Sequence, residues 1–320
     1  MAHVRPEKFI WLDGKLVPWN ESVVHFLTHS LHYGLGAFEG IRSYSTSPPA
    51  AAPATDPAPS ATGAVFRLGE HIDRLFDSCH VCMIDVPFSR AEVSAACVQT
   101  LRENGLTEAY LRPLVFLGDG SMGLGATDPP VRVGIAAYIW GTYLGEDGLK
   151  NGIRAKISSF TRGHMLASLP KGKICGQYVN SVLAKREVLK GGYDEAIMLD
   201  TAGHVAEASG ENIFMVSKGR LCTPPLSGAI LAGITRDSVL MLAQDLGIPT
   251  AEVALSRDHL YLADEVFLTG TAAEITPVRE IDDRRIASGQ PGPLTRRLQS
   301  AFFAAVHGQN SRYAHWLTAV

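Results

Sequence analysis

Short apolar runs broken by turn residues dominate the first forty positions. "FIWLDGKLVPW" (9–19) sets two such runs around Asp13-Gly14, a pair that accepts the positive φ of a tight turn, and so predicts a hairpin. "EGIRSYS" (39–45) and "GAVFRL" (63–68) follow as strands. The stretch between them, 46–63, is dense in Pro and Ala and predicts a surface loop, because it has too little apolar side chain to offset its ordering entropy. The pattern then shifts to the helical period in "EHIDRLFDSCHVCMI" (70–84) and "SRAEVSAACVQTLRENG" (89–105), the latter stopped at Gly105. "AYLRPLVFLG" (109–118) and "RVGIAAYIW" (132–140) return to strand. A polar, glycine-rich break at 141–152 reads as a linker. Beyond it come the strand "IRAKISSF" (153–160) and the helix "QYVNSVLAKREVLK" (177–190), with strands "DEAIMLD" (194–200) and "NIFMVS" (212–217). The helix "TRDSVLMLAQDLG" (235–247), the strand "EVFLTG" (265–270) and the helix "LTRRLQSAFFAAV" (294–306) complete the order. Strands and helices mixed in two lobes predict an α+β (mixed α/β) fold, with domains at 1–140 and 153–320.

Composition narrows the function classes. In 320 residues, 46% are hydrophobic and 19% charged, as in a soluble globular protein with ample core. A net charge of -3 offers nothing to nucleic acid or an anionic membrane surface. "MAHVRPEKFIW" lacks the apolar stretch of a signal peptide, and the longest apolar run, 131–140, is too short to span a bilayer. Five cysteines, an odd number, suggest reduced thiols in the cytoplasm.

Three motifs invite chemistry and fail to support it. His25, His29 and His32 have helical spacing but no acidic or cysteine ligand nearby, so no metal site is expected. Cys79 and Cys82 have redox spacing without a second pair and lie on the apolar side of a predicted helix. "GLGAFEG" (34–40) spaces its glycines unlike a dinucleotide loop and precedes a strand.

Other segments are more productive together than singly. "PKGKICGQY" (170–178) holds Lys171 in a turn-like setting and Lys173 before Ile174 and Cys175. A lysine that attacks a carbonyl must be neutral, and a dry, apolar setting favours that state. "SGAILAGITRDSVL" (227–240) leads a glycine-bearing loop into a helix with Thr235 at the N-cap, an arrangement that binds anions. "LTGTAAEI" (268–275) repeats the strand, glycine and threonine order as a second phosphate cradle. "VAEASGENIF" (205–214) sets two acids among small residues between predicted strands, where a carboxylate needs a cationic partner. Lysine, phosphate cradles and carboxylate fit pyridoxal phosphate chemistry, in which the acid supports a protonated ring nitrogen.

The chain resembles the fold-type IV (class IV) aminotransferases, most closely the bacterial branched-chain group. The resemblance runs from "HSLHYGLGAFEGIR" through "AYLRPL", "WGTYLG", "GQY", "EASGENIF" and "GITRD" to "YLADEVFLTGTAAEITPV". It implies a two-domain enzyme, with a small N-terminal α/β domain and a larger C-terminal pseudo-barrel domain. It also implies pyridoxal 5'-phosphate as cofactor, amino and keto acids as substrates, a homodimer at least, and assembly up to a hexamer. By the same resemblance Lys173 is the cofactor-binding lysine, Glu207 the partner of the ring nitrogen and Tyr178 that of the ring oxygen. Arg74, Ile234 and Thr235 hold the phosphate; Leu231 and Gly210 pack on the ring faces. Thr271 and Ala272, with Tyr110, hold the substrate carboxylate. Phe38, Trp140, Tyr143 and Tyr178 surround the side-chain pocket, with Arg112 at its edge and Tyr33 entering from a neighbouring subunit.

The implied activity is transamination of leucine, isoleucine and valine with 2-oxoglutarate by a ping-pong mechanism. D-Amino acid and (R)-amine transaminases and aminodeoxychorismate lyases share the lysine and the acid. The set Phe38, Tyr110, Arg112, Trp140 and Tyr143 favours the branched-chain reading. Two features depart from the pattern: Cys175 and Gln177 stand where the group usually has a Gly-Gly-Asn run, and the insertion at 46–63 is unusual.

Overall fold

The computed structural model describes residues 4–46 and 62–320, so the Pro/Ala-rich loop read from the sequence falls, at 47–61, outside the described residues. The chain divides into two compact units. One comprises Met1–Gly141, Gly172–Gly176 and Phe303–Val320; the other comprises Thr142–Lys171 and Gln177–Phe302.

In the first unit β1 (Phe9–Leu12) and β2 (Lys15–Pro18) form the hairpin around Asp13-Gly14, with φ of 46° and 92° at the turn. The short helix α1 (His29–Tyr33) precedes β3 (Gly36–Phe38), β4 (Ile41–Thr46) and β5 (Thr62–Phe66). Two longer helices follow, α2 (Leu68–Val81) and α3 (Arg90–Asn104), and then β6 (Ala109–Leu117) and β7 (Val131–Tyr138). Ser89 and Glu92 close a capping box on α3, and Gly105 ends it at φ 70°, as the sequence predicts. The apolar faces of α2 (Ile72, Leu75, Cys79) and α3 (Val93, Cys97, Leu101) pack on Ile41, Leu111 and Ile135 of the sheet. Each such buried side chain contributes about 1.5–3 kcal/mol. Two pieces from the C-terminal half of the chain join this unit, although chain order alone puts them in 153–320. Backbone pairing explains both: Ile174 bridges Ala37, and a terminal strand, Leu317–Ala319, pairs with Phe66–Ala64 of β5.

The second unit opens with α4 (Gly145–Asn151), so the stretch read as a linker contains a helix. Its sheet is built from β8 (Ile153–Ile157), β9 (Glu195–Leu199), β10 (Val205–Ala208), β11 (Asn212–Ser217), β12 (Arg220–Thr223), β13 (Thr250–Glu252), β14 (Glu265–Gly270) and β15 (Glu274–Ile281), with β16 (Arg284–Arg285) beside β15. The terminal strand of the first unit is β17. β8 runs parallel to β9 and β15, whereas β14 lies antiparallel between β11 and β15. Helices α5 (Tyr178–Lys190), α6 (Ile234–Asp245), α7 (Arg257–Tyr261) and α8 (Pro293–Val306) complete the order. One face of the sheet buries Ile153, Ala155 and Ile157 with Ile213, Val266 and Leu268. On the opposite face Met198 packs on Ala184 and Val188 of α5, and Phe214 stacks on Phe267 at 5.1 Å. The mixed strands and helices are those expected of an α+β chain.

Candidate active site

Lys173 is fixed through its backbone. Phe38 N–H donates to Lys173 O at 3.1 Å, Ile174 bridges Ala37, and Gly176 N–H donates to Gly34 O at 2.9 Å, so the lysine segment runs beside β3. Lys173 N–H donates to Ser78 Oγ at 2.9 Å, and its Nζ stands 5.0 Å from the centre of the Phe38 ring. The amine thus has an aromatic face for a neighbour on one side.

Spacings of three and four residues place His71, Arg74 and Ser78 on one face of α2. Arg74 donates to both oxygens of Glu39, at 2.7 and 2.8 Å, and His71 Nδ1 donates to the same carboxylate at 2.7 Å. Glu39 is wholly buried. Burial opposes its ionisation, but Arg74 and His71 outweigh it and hold the carboxyl well below the usual range. Burial also keeps His71 below the ordinary imidazole value, against the pull of Glu39.

Tyr110 and Arg112 sit two apart on β6 and share a side. Arg112 Nη2 donates to Tyr110 Oη at 3.3 Å, and the guanidinium lies 4.8 Å from the Phe38 ring centre and 5.3 Å from that of Tyr110. Trp140 meets Tyr110 edge-on at 4.8 Å, with Tyr138 completing the aromatic group. At Gly40 a Cβ would stand 1.8 Å from Tyr110 Oη, so only glycine leaves room for that hydroxyl. Tyr33 packs on His29 at 4.5 Å, while His29 and His32 bond the carbonyls of Gly123 and Phe26.

In the second unit Glu207 lies on β10, buried, rather than between strands. Arg162 pairs with its Oε1 at 2.7 Å; Asn212 Nδ2 and Leu231 N–H each donate to Oε2 at 3.1 Å. Thr235 is not the N-cap of α6. Gly233 takes that place, because a side chain there would collide with Asn212 Oδ1, 1.9 Å from the ideal Cβ, so Ile234 and Thr235 form the first turn. The segment around Thr271 is not a helix entry either: it is the turn of a hairpin in which Gly270 pairs with Glu274. At that turn Ala272 O accepts from Tyr143 N–H at 3.4 Å, and Lys185 Nζ lies 5.0 Å from the Tyr143 ring. Tyr178 opens α5, and Gly210 N–H donates to Glu211. Glu211 is buried, and burial, with Glu195 and Glu207 nearby, pushes its carboxyl up to about 8 against the opposing charge of Lys185.

The residues present fit pyridoxal phosphate. Thr269 Oγ1 is buried with no hydrogen-bond partner among the described residues, and its strand position is directly opposite Asn212, the residue that bonds Glu207. Opposed residues of a ladder share a face, so an unsatisfied hydroxyl, an ion-paired acid and the first turn of a helix lie on one side of this sheet. Glu39, His71 and Arg162 escape sequence reading, since nothing local marks a partner many residues away; Asn212 escapes it too, although Glu207 is only five residues distant.

Residues 36–281 match the family model for class IV amino-transferases. The branched-chain-amino-acid aminotransferase of Pseudomonas aeruginosa is 48% identical, over 97% of both chains. The crystal structure of the Escherichia coli branched-chain amino acid aminotransferase is similar with a TM-score of 0.91, at 42% identity over 97% of this chain and 98% of that one. The T.th. branched-chain amino acid aminotransferase with pyridoxamine 5'-phosphate also gives a TM-score of 0.91, at 41% identity over 99% of both chains. With a family match over most of its length and relatives this similar, the chain belongs to the class IV amino-transferases.

Proposed function

We propose that this protein is a branched-chain amino-acid aminotransferase using pyridoxal 5'-phosphate, passing the amino group of leucine, isoleucine or valine to 2-oxoglutarate. One observation carries the substrate reading: the Arg112 guanidinium lies over the Phe38 and Tyr110 rings, and Trp140 meets Tyr110 edge-on. An apolar side chain finds aromatic surface there, and the γ-carboxylate of glutamate finds a counter-charge.

When bound, the cofactor supplies an electrophilic carbonyl for the amino group and an electron-poor ring that accepts the electron pair left at Cα. Lys173 Nζ would hold it at rest and, as a free amine, would take the proton from Cα. Glu207 bonds the protonated ring nitrogen; its ion pair with Arg162 and its two further donors fix the carboxylate in orientation. Tyr178 would bond the ring oxygen, and Leu231 and Gly210 would cover the ring. Arg74, held by Glu39, and the Ile234 and Thr235 N–H groups at the start of α6 would each serve the phosphate. Thr271, Ala272 and Tyr110 hold the substrate carboxylate, and Tyr143 lines the side-chain pocket. Tyr33 serves the site of a neighbouring copy, so the working unit is a homodimer at least. All five cysteines are unpaired, as in a reducing cytoplasm, and among the described residues no helix is long and apolar enough to cross a membrane.

Incubating the holoenzyme with L-leucine and 2-oxoglutarate should yield glutamate and the branched keto acid in equal amounts. Activity confined to D-amino acids or amines, or release of ammonia or pyruvate, would contradict the reading.

A further inference from the structure

Lys171, the other lysine of "PKGK", has no part in the chemistry above. Its ammonium donates to Ile230 O at 2.9 Å and Gly228 O at 3.0 Å. The next residue, Leu231, gives its N–H to Glu207 Oε2, and its carbonyl accepts from Asn212 Nδ2 at 3.0 Å. Asn212 in turn donates to Glu207 Oε2, and its other amide atom lies against Gly233, just before α6. The loop is therefore fastened at two points: by a cation at 228 and 230, and by an amide at 231. Fixing a lysine side chain loses rotamer freedom, and two charge-assisted bonds to carbonyls offset that loss. Lys171 is exposed as a residue, but partial desolvation of its ammonium holds it below the ordinary lysine value, against the attraction of Glu207.

We propose that Lys171 is a positioning residue, whose ammonium clamps the 228–231 loop and thereby keeps the Leu231 N–H on the Glu207 carboxylate. The step to the cofactor rests on the assignment of Glu207 to the ring nitrogen. Neutral, similarly long methionine removes the clamp, and arginine restores a donor of the same charge.

Hydrogen exchange of the holoenzyme, read on peptides covering 226–233, tests the clamp directly. Lys171→Met should exchange there about tenfold faster than wild type, with β14 unchanged, and Lys171→Arg should recover most of the protection. Cofactor release into a scavenging apoenzyme should also quicken about tenfold in Lys171→Met and recover in Lys171→Arg. Unchanged loop exchange in Lys171→Met would overturn the proposal. So would faster exchange with unchanged release, provided that Glu207→Gln speeds release. If Glu207→Gln also leaves release unchanged, the assignment of Glu207 has failed, and loop exchange alone decides the clamp.

Discussion

Arg74 gives Glu39 two parallel hydrogen bonds, and His71 gives it a third, on a carboxylate that is itself closed to water. The arginine proposed to bind the phosphate is thus aimed by an acid that is itself sealed inside the unit. Glu39→Gln removes the charge that balances Arg74, and breaking a buried pair from one side is expensive. A loss of about 3 kcal/mol in urea unfolding is expected, with weaker cofactor binding in equilibrium dialysis. An unchanged unfolding midpoint would mean that the ion pair is dispensable. The roles proposed for Lys173, Glu207 and Arg74 come from the order of motifs in the sequence. Glu39 carries no such mark, since in "FEGIR" it reads as one more strand residue.

Ser78 ties two elements together: its hydroxyl donates to Arg74 O at 2.7 Å and accepts from Lys173 N–H. Ser78→Ala leaves the part-buried Lys173 N–H unpaired, so a loss of about 1 kcal/mol is expected in thermal unfolding, together with a lower cofactor occupancy. Loss of less than a few tenths would show that the lysine strand is held by its pairing to β3 alone. The five longer helices (α2, α3, α5, α6 and α8) and most strands follow from the apolar period, but the short helices α1, α4 and α7 and the strand β10 do not. A register shift between Val205 and Glu207 breaks its alternation, and a glutamate in so short a strand reads as loop. In β15, Pro277 argues against a strand, yet it pairs with Phe267 inside the ladder. The turn at Thr271 reads as a helix entry because Gly-Thr serves either role, and only the partner strand decides.

At the scale of the whole molecule, two buried groups shape stability against pH from opposite sides. His71 is depressed below its unfolded value, so the unfolded chain takes up the proton first, and stability falls as pH drops below about 6.5. Glu211, pushed up to about 8, keeps a proton that the unfolded chain surrenders near the ordinary carboxylate value. Its contribution is complete below that value and is lost as pH rises towards 8. Glu211→Gln should therefore gain on wild type in melting temperature as pH rises from about 5 to about 8, whereas His71→Asn should lessen the acid-side decline. A Glu211→Gln difference independent of pH would contradict the buried protonated carboxyl.

The most direct test of substrate choice is single-turnover bleaching of the bound cofactor's visible band by L-glutamate and by L-leucine, in wild type and Arg112→Met. Wild type should react with both. The variant should slow with glutamate by an amount equivalent to about 2–5 kcal/mol, because the γ-carboxylate loses its counter-charge, while leucine reacts almost as before. Equal slowing with both amino acids would contradict the assignment of Arg112 to the second carboxylate.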